Sequence, residues 1–214
     1  NAGTYDITLT ATNSNNGCSD QVTKSITVNP RPTISVLANT SIGCAPLDVD
    51  FINNSTNGDT YEWDFGDGST TFIGDTPPTH TYTSNGNFSV TIDASNSFGC
   101  TRQGTATVIQ VSPPTSNFTS DVVDGCSDLD VQFSDLSSSS NPNADPIVSW
   151  SWDFGNGNTS TSQSPLIETF VSGKYDVSLV VTTQNGCKDS INIVEYIQVG
   201  EIDSVGFSNT PDTI

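Results

Sequence analysis

The sequence predicts an all-β protein built from tandem units of about 85 residues, and three observations carry that reading. The hexapeptide Trp63-Asp64-Phe65-Gly66-Asp67-Gly68 returns 89 positions later as Trp152-Asp153-Phe154-Gly155-Asn156-Gly157. Thr, Val, Ile and aromatic residues alternate with polar ones, as in half-buried strands, and no stretch sustains helical periodicity. Asn-Gly, Asp-Gly and Ser/Asn clusters break these runs at the places where turns are needed.

A second signature keeps the same beat. Gly86-Asn87-Phe88-Ser89-Val90-Thr91-Ile92 matches Gly173-Lys174-Tyr175-Asp176-Val177-Ser178-Leu179, and the pattern also opens the chain as Gly3-Thr4-Tyr5-Asp6-Ile7-Thr8-Leu9. Cys18, Cys100 and Cys187 each follow those glycines by 14 or 15 residues. Cys44 and Cys126 form another series, 82 apart, and each precedes an alternating run, Leu47–Phe51 or Leu129–Phe133. The chain therefore divides into the tail of one unit (1–29), two complete units (30–112 and 113–199) and the start of a further one (200–214). Proline marks the first two seams, Asn29-Pro30-Arg31-Pro32 and Ser112-Pro113-Pro114. Such links are semi-rigid because proline fixes φ. The third seam, Val199-Gly200-Glu201, lacks proline and is expected to bend more easily.

Only 33% of residues are apolar. Their concentration on alternating faces nevertheless separates the chain from a disordered acidic polymer and supplies a modest core per unit. Five Lys and Arg stand against 24 Asp and Glu, a formal charge of −19. That surface excludes nucleic acid as a partner, because phosphate binding needs clustered cations. It suits solubility and mutual repulsion between neighbouring chains. Divalent-cation binding is the sharper alternative, but no acidic loop has EF-hand spacing, so no metal site is assigned. No apolar run reaches the ~20 residues of a membrane span, so direct membrane insertion is not expected. The repeat places residue 1 inside a unit, so the lack of a signal peptide carries no information. Five cysteines at repeated positions, without Cys-x-x-Cys spacing and with one His in the chain, point to disulfides in an oxidising compartment.

Tyr61, Trp63 and Phe65 share one face of a strand, as do Trp150, Trp152 and Phe154, and they are expected in the core. Gly-Asp-Gly and Gly-Asn-Gly then turn the chain, with Asp64 and Asp153 expected to accept hydrogen bonds from turn amides. Catalytic constellations are lacking. His80 stands alone, and Asp64 and Asp67 share one strand and its turn instead of facing across a cleft, as a glycosidase pair must. Neither a nucleophile elbow nor a phosphate-binding loop occurs. The chain is read as no enzyme.

Trp-Asp-Phe-Gly-Asp-Gly, followed by Pro78-Thr79-His80-Thr81-Tyr82 and by Gly-x-Phe/Tyr-x-Val-x-Leu/Ile, resembles the PKD (polycystic kidney disease) domain over nearly the whole chain. The resemblance implies seven-stranded Ig-like β-sandwiches in an elongated extracellular array. The paired Gly-Cys positions resemble PKD arrays of Bacteroidota surface proteins, including gliding-motility adhesins and other type IX secretion substrates. The second unit departs from the pattern at Asn156 and at Glu168-Thr169-Phe170. Asp189-Ser190-Ile191, Asp203-Ser204-Val205 and Asp212-Thr213-Ile214 look like Bacteroidota O-glycosylation acceptors, which makes Ser190, Ser204 and Thr213 candidate modification sites.

The Ig-like topology implies more for the cysteines. Strands run up and down, so the A–B and F–G turns lie at opposite ends of a unit. Cys44 and Cys126 are assigned to A–B turns, and Cys18, Cys100 and Cys187 to F–G turns. On that placement Cys44 of one unit pairs with Cys187 of the next, while Cys18, Cys100 and Cys126 await partners outside this sequence. The rival is Cys44–Cys100 with Cys126–Cys187, which demands a different strand order.

The functional expectation is a non-catalytic stalk or spacer of a large exported surface adhesin-like protein, stiffened by inter-domain disulfides. Its expected partners are neighbouring repeats of its own chain, with other surface proteins or glycans beyond them, and no cofactor is required. Calcium at the seams is a lesser alternative. The runner-up function is an accessory module of a secreted polysaccharide- or protein-degrading enzyme.

Overall fold

The computed structural model describes residues 1–126 and 128–201. Every regular element among them is a strand. The chain forms two compact units, residues 1–111 and 112–214.

The first unit opens with a hairpin, β1 (Gly3–Thr12) against β2 (Ser19–Val28). Then follow β3 (Val36–Ala38), β4 (Ile42–Gly43), β5 (Leu47–Val49), β6 (Phe51–Asn53), β7 (Thr60–Asp64), β8 (Phe72–Ile73), β9 (His80–Tyr82), β10 (Gly86–Ser95) and β11 (Thr101–Val111). One layer has the order β4-β11-β10-β7-β8; the other comprises β3 with β6 and β5 with β9. The chain through β5 and β6 is one strand interrupted at Asp50, where Asn39 takes over the pairing through both its amide and its side chain. The chain through β3 and β4 is one strand that leaves β6 for the far edge of the other layer. Counted so, β3 to β11 make the seven strands of an Ig-like sandwich.

The second unit repeats the plan. Its strands are β12 (Phe118–Ser120), β13 (Asp124–Cys126), β14 (Leu129–Val131), β15 (Phe133–Asp135), β16 (Ile147–Asp153), β17 (Thr159–Ser160), β18 (Glu168–Phe170), β19 (Gly173–Thr183) and β20 (Lys188–Gly200). The order β13-β20-β19-β16-β17 faces the pairs β12–β15 and β14–β18. At the third seam Val199 and Gly200 continue β20 and pair with Gly125 and Cys126; the unit expected to follow lies outside the described residues.

Period-2 patterning places the cores. Trp63, Val90, Ile92 and Ile109 from one layer meet Val49, Phe51 and Tyr82 from the other, all essentially inaccessible. Trp152, Leu179 and Ile197 meet Val131, Phe133 and Phe170 in the same way. Burying a large apolar side chain contributes roughly 1.5–3 kcal/mol, so these few positions dominate each unit. Trp150 differs from its expected place: it is half-buried at the rim of its core instead of inside it.

The hairpin β1–β2 has the sequence pattern of β10–β11, yet Tyr5, Ile7, Leu9, Val22, Ile26 and Val28 are 45–67% exposed. Their counterparts Phe88, Val90, Ile92, Ile109 and Val111 are at most 9% exposed. Threonines ladder across the hairpin's other face, Thr8 to Thr23 at 2.8 Å and Thr4 to Thr27 at 3.3 Å.

Candidate functional site

The cysteine-bearing turns and the Trp-Asp-Phe-Gly turn are the repeated features, and each unit positions them with its own hydrogen bonds. Cys44 and Cys187 are disulfide-bonded, whereas Cys18, Cys100 and Cys126 are free thiols. Gly43, directly before Cys44, pairs with Val111 at the end of β11; Cys100 directly precedes Thr101 at its start. Ten steps of extended strand span about 33 Å at ~3.3 Å per residue, far beyond the ~7 Å Cα separation a disulfide tolerates. The second unit has the same layout, with Cys126 opposite Gly200 and Cys187 directly before Lys188. No disulfide can therefore join Cys44 to Cys100 or Cys126 to Cys187. Cys126 lies within β13, not in a turn, because the strand continues along β20 to that residue.

Each cysteine turn of the complete units is held by an aspartate from the connection between its second and third strands. In the second unit Asp145, only 3% exposed, accepts from the Asn185 amide at 2.8 Å and the Thr183 hydroxyl at 3.0 Å. Thr183 Oγ1 in turn accepts from the Cys187 amide at 3.2 Å. In the first unit Asp59 accepts from the Ser97 amide at 2.6 Å, and Asn96 Oδ1 accepts from the Cys100 and Phe98 amides. Sequence reasoning missed this clamp. A spacing signal pointed toward it: Phe51 and Trp63 are 12 positions apart, but Phe133 and Trp152 are 19 apart. The extra residues form the loop that delivers Asp145.

In the repeated turn, Asp64 accepts from the Gly66 amide at 2.8 Å and Asp153 from the Gly155 amide at 2.9 Å. Gly66 and Gly155 sit at φ near +75°. A Cβ there would lie 2.6 Å from the Ser89 carbonyl oxygen or 2.4 Å from that of Asp176, so only glycine fits. Trp63 donates its indole N–H to Gly74 O, and Trp152 does the same to Ser162 O. Tyr82 donates to Phe65 O at 3.1 Å, and burial, with the carboxylates of Asp67 and Asp64, pushes its phenol well up, keeping it a donor.

The two departures noted in the second unit are one contact. His80 stacks on Phe65 with ring centres 3.8 Å apart and reaches Asp67 Oδ2 through Nε2 at 2.8 Å. Burial favours neutral Asp67, but the Ser69 hydroxyl and amide and His80 outweigh it and hold the carboxyl below the usual range. Asn156 and Glu168 occupy the same places: Asn158 donates to Glu168 at 2.9 Å and Asn156 at 3.4 Å. Neither version lines an enclosed cleft or completes a catalytic set.

Ser190 is exposed on β20, opposite Val180, while Ser204 and Thr213 lie outside the described residues. Asp189 is engaged structurally. Its carboxylate accepts from the Ser116 amide at 2.7 Å and hydroxyl at 2.8 Å, and the amide bond chiefly holds it below the usual range. Among the described residues no group of three or more His, Cys, Asp or Glu could hold a metal ion. Among the described residues no helix is long and apolar enough to cross a membrane.

Comparison with known proteins is specific. The family model of the PKD domain matches residues 29–111 and 112–199. The PKD1 domain of the Vibrio cholerae metalloprotease PrtV is 34% identical, covering 41% of this chain and 99% of its own, with a TM-score of 0.34. The PKD1 domain of Vibrio anguillarum Epp is 28% identical over 42% of this chain and 98% of its own, with a TM-score of 0.35. A solution structure from Methanosarcina mazei is 39% identical over 42% of this chain and 57% of its own, with a TM-score of 0.30.

Proposed function

The chain belongs to the PKD domain family, and from that premise we propose that it is a non-catalytic stalk segment of a large exported surface adhesin-like protein, stiffened by disulfides between successive units. PKD domains are non-catalytic modules that occur in extracellular proteins. The observation that carries the proposal is the cysteine pattern. Cys44 and Cys187 are the bonded residues; Cys44 cannot reach Cys100 at the far end of its sandwich, nor Cys187 reach Cys126. The proposed staple joins Cys44 to Cys187. By the same rule Cys126 pairs with a following unit, and Cys18 and Cys100 pair with preceding ones.

Contacts between domains of one chain are ordinarily modest and permit motion. A covalent link beside the proline seam at 112–114 removes hinge freedom and passes load from unit to unit. The charge of −19 disperses neighbouring stalks. An oxidising exterior keeps such bonds formed. Bacteroidota surface export and use of Ser190 as a sugar acceptor belong to this reading, with calcium at the seams a lesser possibility.

Non-reducing peptide mapping tests the staple: a Cys44–Cys187 linked peptide is expected, and a Cys44–Cys100 peptide would overturn it. Small-angle scattering tests stiffness. Reductant, or Cys44→Ser, is expected to broaden the distribution of end-to-end distances, and an unchanged distribution would remove the mechanical role.

A further inference from the structure

A row of side chains crosses the outer face of the first unit's larger layer: Ile73 on β8, Glu62 on β7, Asp93 on β10 and Gln103 on β11, each directly opposite the next. A surface groove of about 490 Å³ lies over this row, lined by Thr60, Glu62, Ile73, Asp93, Ser95 and Thr101. We propose that the groove is a docking site for an arginine side chain of a partner protein, with Glu62 and Asp93 holding the guanidinium and Ile73 covering its alkyl stem. The site lies within one unit, so it stands whether or not the disulfide staple forms.

Glu62 and Asp93 break a pairing rule. Like charges directly opposite in an antiparallel pair, with Cβ atoms about 5 Å apart, destabilise a sheet. Neither carboxylate meets a Lys, Arg or His: among the described residues the ion pairs are His80–Asp67 and Lys174–Glu195. Each is steadied by a neutral donor instead. Thr71 donates its hydroxyl to Glu62 Oε1 at 3.0 Å, and Gln103 Nε2 donates to Asp93 Oδ2 at 2.9 Å. Those bonds leave Glu62 Oε2 and Asp93 Oδ1 as acceptors for a guest. Beside them Ile73 is 73% exposed, which sets an apolar wall next to an anionic pair.

That combination selects the guest. Arginine carries a planar fork of N–H donors on an apolar stem, so one side chain can bridge two carboxylates and pack on Ile73. Calcium takes roughly six to eight oxygens, and among the described residues no third acid joins this pair. A second copy of the chain carries the same charge of −19 and is repelled, whereas a basic partner is attracted. The second unit lacks the row. There Ser151 stands opposite Val180, and Val180 opposite Ser190. Thr161, just past β17, takes the place that Ile73 holds at the end of β8.

The experiment titrates the whole isotope-labelled chain with an acetylated, amidated Val-Arg-Val peptide, read by amide chemical shifts. The control is the same peptide with citrulline, which keeps the shape and loses the charge. The arginine peptide is expected to bind with a millimolar constant, about tenfold or more tighter than the citrulline peptide, and to shift amides of β7, β8 and β10. Glu62→Gln and Asp93→Asn are each expected to weaken it about tenfold or more. Both amides keep an acceptor for Thr71 or Gln103 and remove the repulsion, so the urea midpoint of the first unit is expected to hold or rise while binding falls. The citrulline comparison uses the unaltered chain and keeps the test valid if a variant misfolds. Equal binding of the two peptides, or no shift of those amides by the arginine peptide, would overturn the proposal. So would shifts spread over the acidic surface of both units, binding that both variants leave intact, or calcium chloride shifting the same amides at lower concentration than the peptide.

Discussion

In the first unit Asn53 on β6 donates its amide to the carboxylate of Asp75 in the loop before β9. In the second unit Asp135 on β15 accepts from the amide of Gln163 in the loop before β18. The contact is kept while donor and acceptor trade strands. Asp67–His80 becomes Asn156–Glu168 by the same kind of exchange, and Asp50, which accepts from Thr79, becomes Gln132, which donates to Pro165 O. The sandwich fixes where two side chains meet. It requires that a donor face an acceptor, and is indifferent to which side supplies which. Only the consequences differ: Asp135 recruits Trp150 to a cleft rim, while Asn53 does not.

This comparison can be broken in order of expected effect. Gly155→Ala and Gly66→Ala are expected to cost most, at least about 1–2 kcal/mol from the left-handed backbone alone, with displacement of a facing carbonyl added. Equivalence of the two turns predicts similar losses, slightly larger at Gly155, in denaturant unfolding of each unit. A neutral result at either glycine would show that the turn relaxes and is not a shared constraint.

The aspartate clamps should diverge. Asp145→Ala strands the buried Thr183 hydroxyl and the part-buried Asn185 amide and is expected to cost about 1–3 kcal/mol. Asp59 is exposed, so solvent can replace it and Asp59→Ala is expected to cost less than about 1 kcal/mol. The same Asp145 variant should speed reduction of the Cys187 disulfide by thiol reagents, measured by differential alkylation. Equal losses at both aspartates would erase the distinction between the clamps.

The exchanged pair makes a smaller and more diagnostic case. His80→Glu sets a second carboxylate beside Asp67, and adding Asp67→Asn is expected to restore part of the loss, with a coupling of roughly 1 kcal/mol in a double-mutant cycle. Asp67 also makes the first unit acid-sensitive. Its folded pKa is below the reference value of 3.8, so its stabilisation is complete above that value and is lost as pH falls through the folded pKa. Asp189 gives the second unit a matching sensitivity at a different place. Asp67→Asn should flatten the acid limb of the first unit only, and Asp189→Asn that of the second; flattening of both by one variant would contradict independent units.

Much of the fold was legible. Alternation of Tyr61, Trp63 and Phe65 named a core strand because strand side chains alternate faces, and Trp63, Phe65, Trp152 and Phe154 of the repeated motif are all at most 5% exposed. Trp150 was misassigned because a period-2 pattern cannot say where a sandwich ends. The Asp64 and Asp153 turn bonds follow from local spacing, whereas the Asp145 clamp joins residues 38 and 40 positions apart, which no local rule reaches.

By itself the sequence determined the all-β class, the repeat and the two cysteine series, since these depend on period and local turn chemistry. Tertiary structure alone decided which polar residues meet, which cysteines carry bonds, and that the lengthened loop of the second unit borders an open surface cleft beside Trp150. Those outcomes rest on long-range register, where side chains far apart in sequence are brought within hydrogen-bonding distance by packing that no single segment encodes.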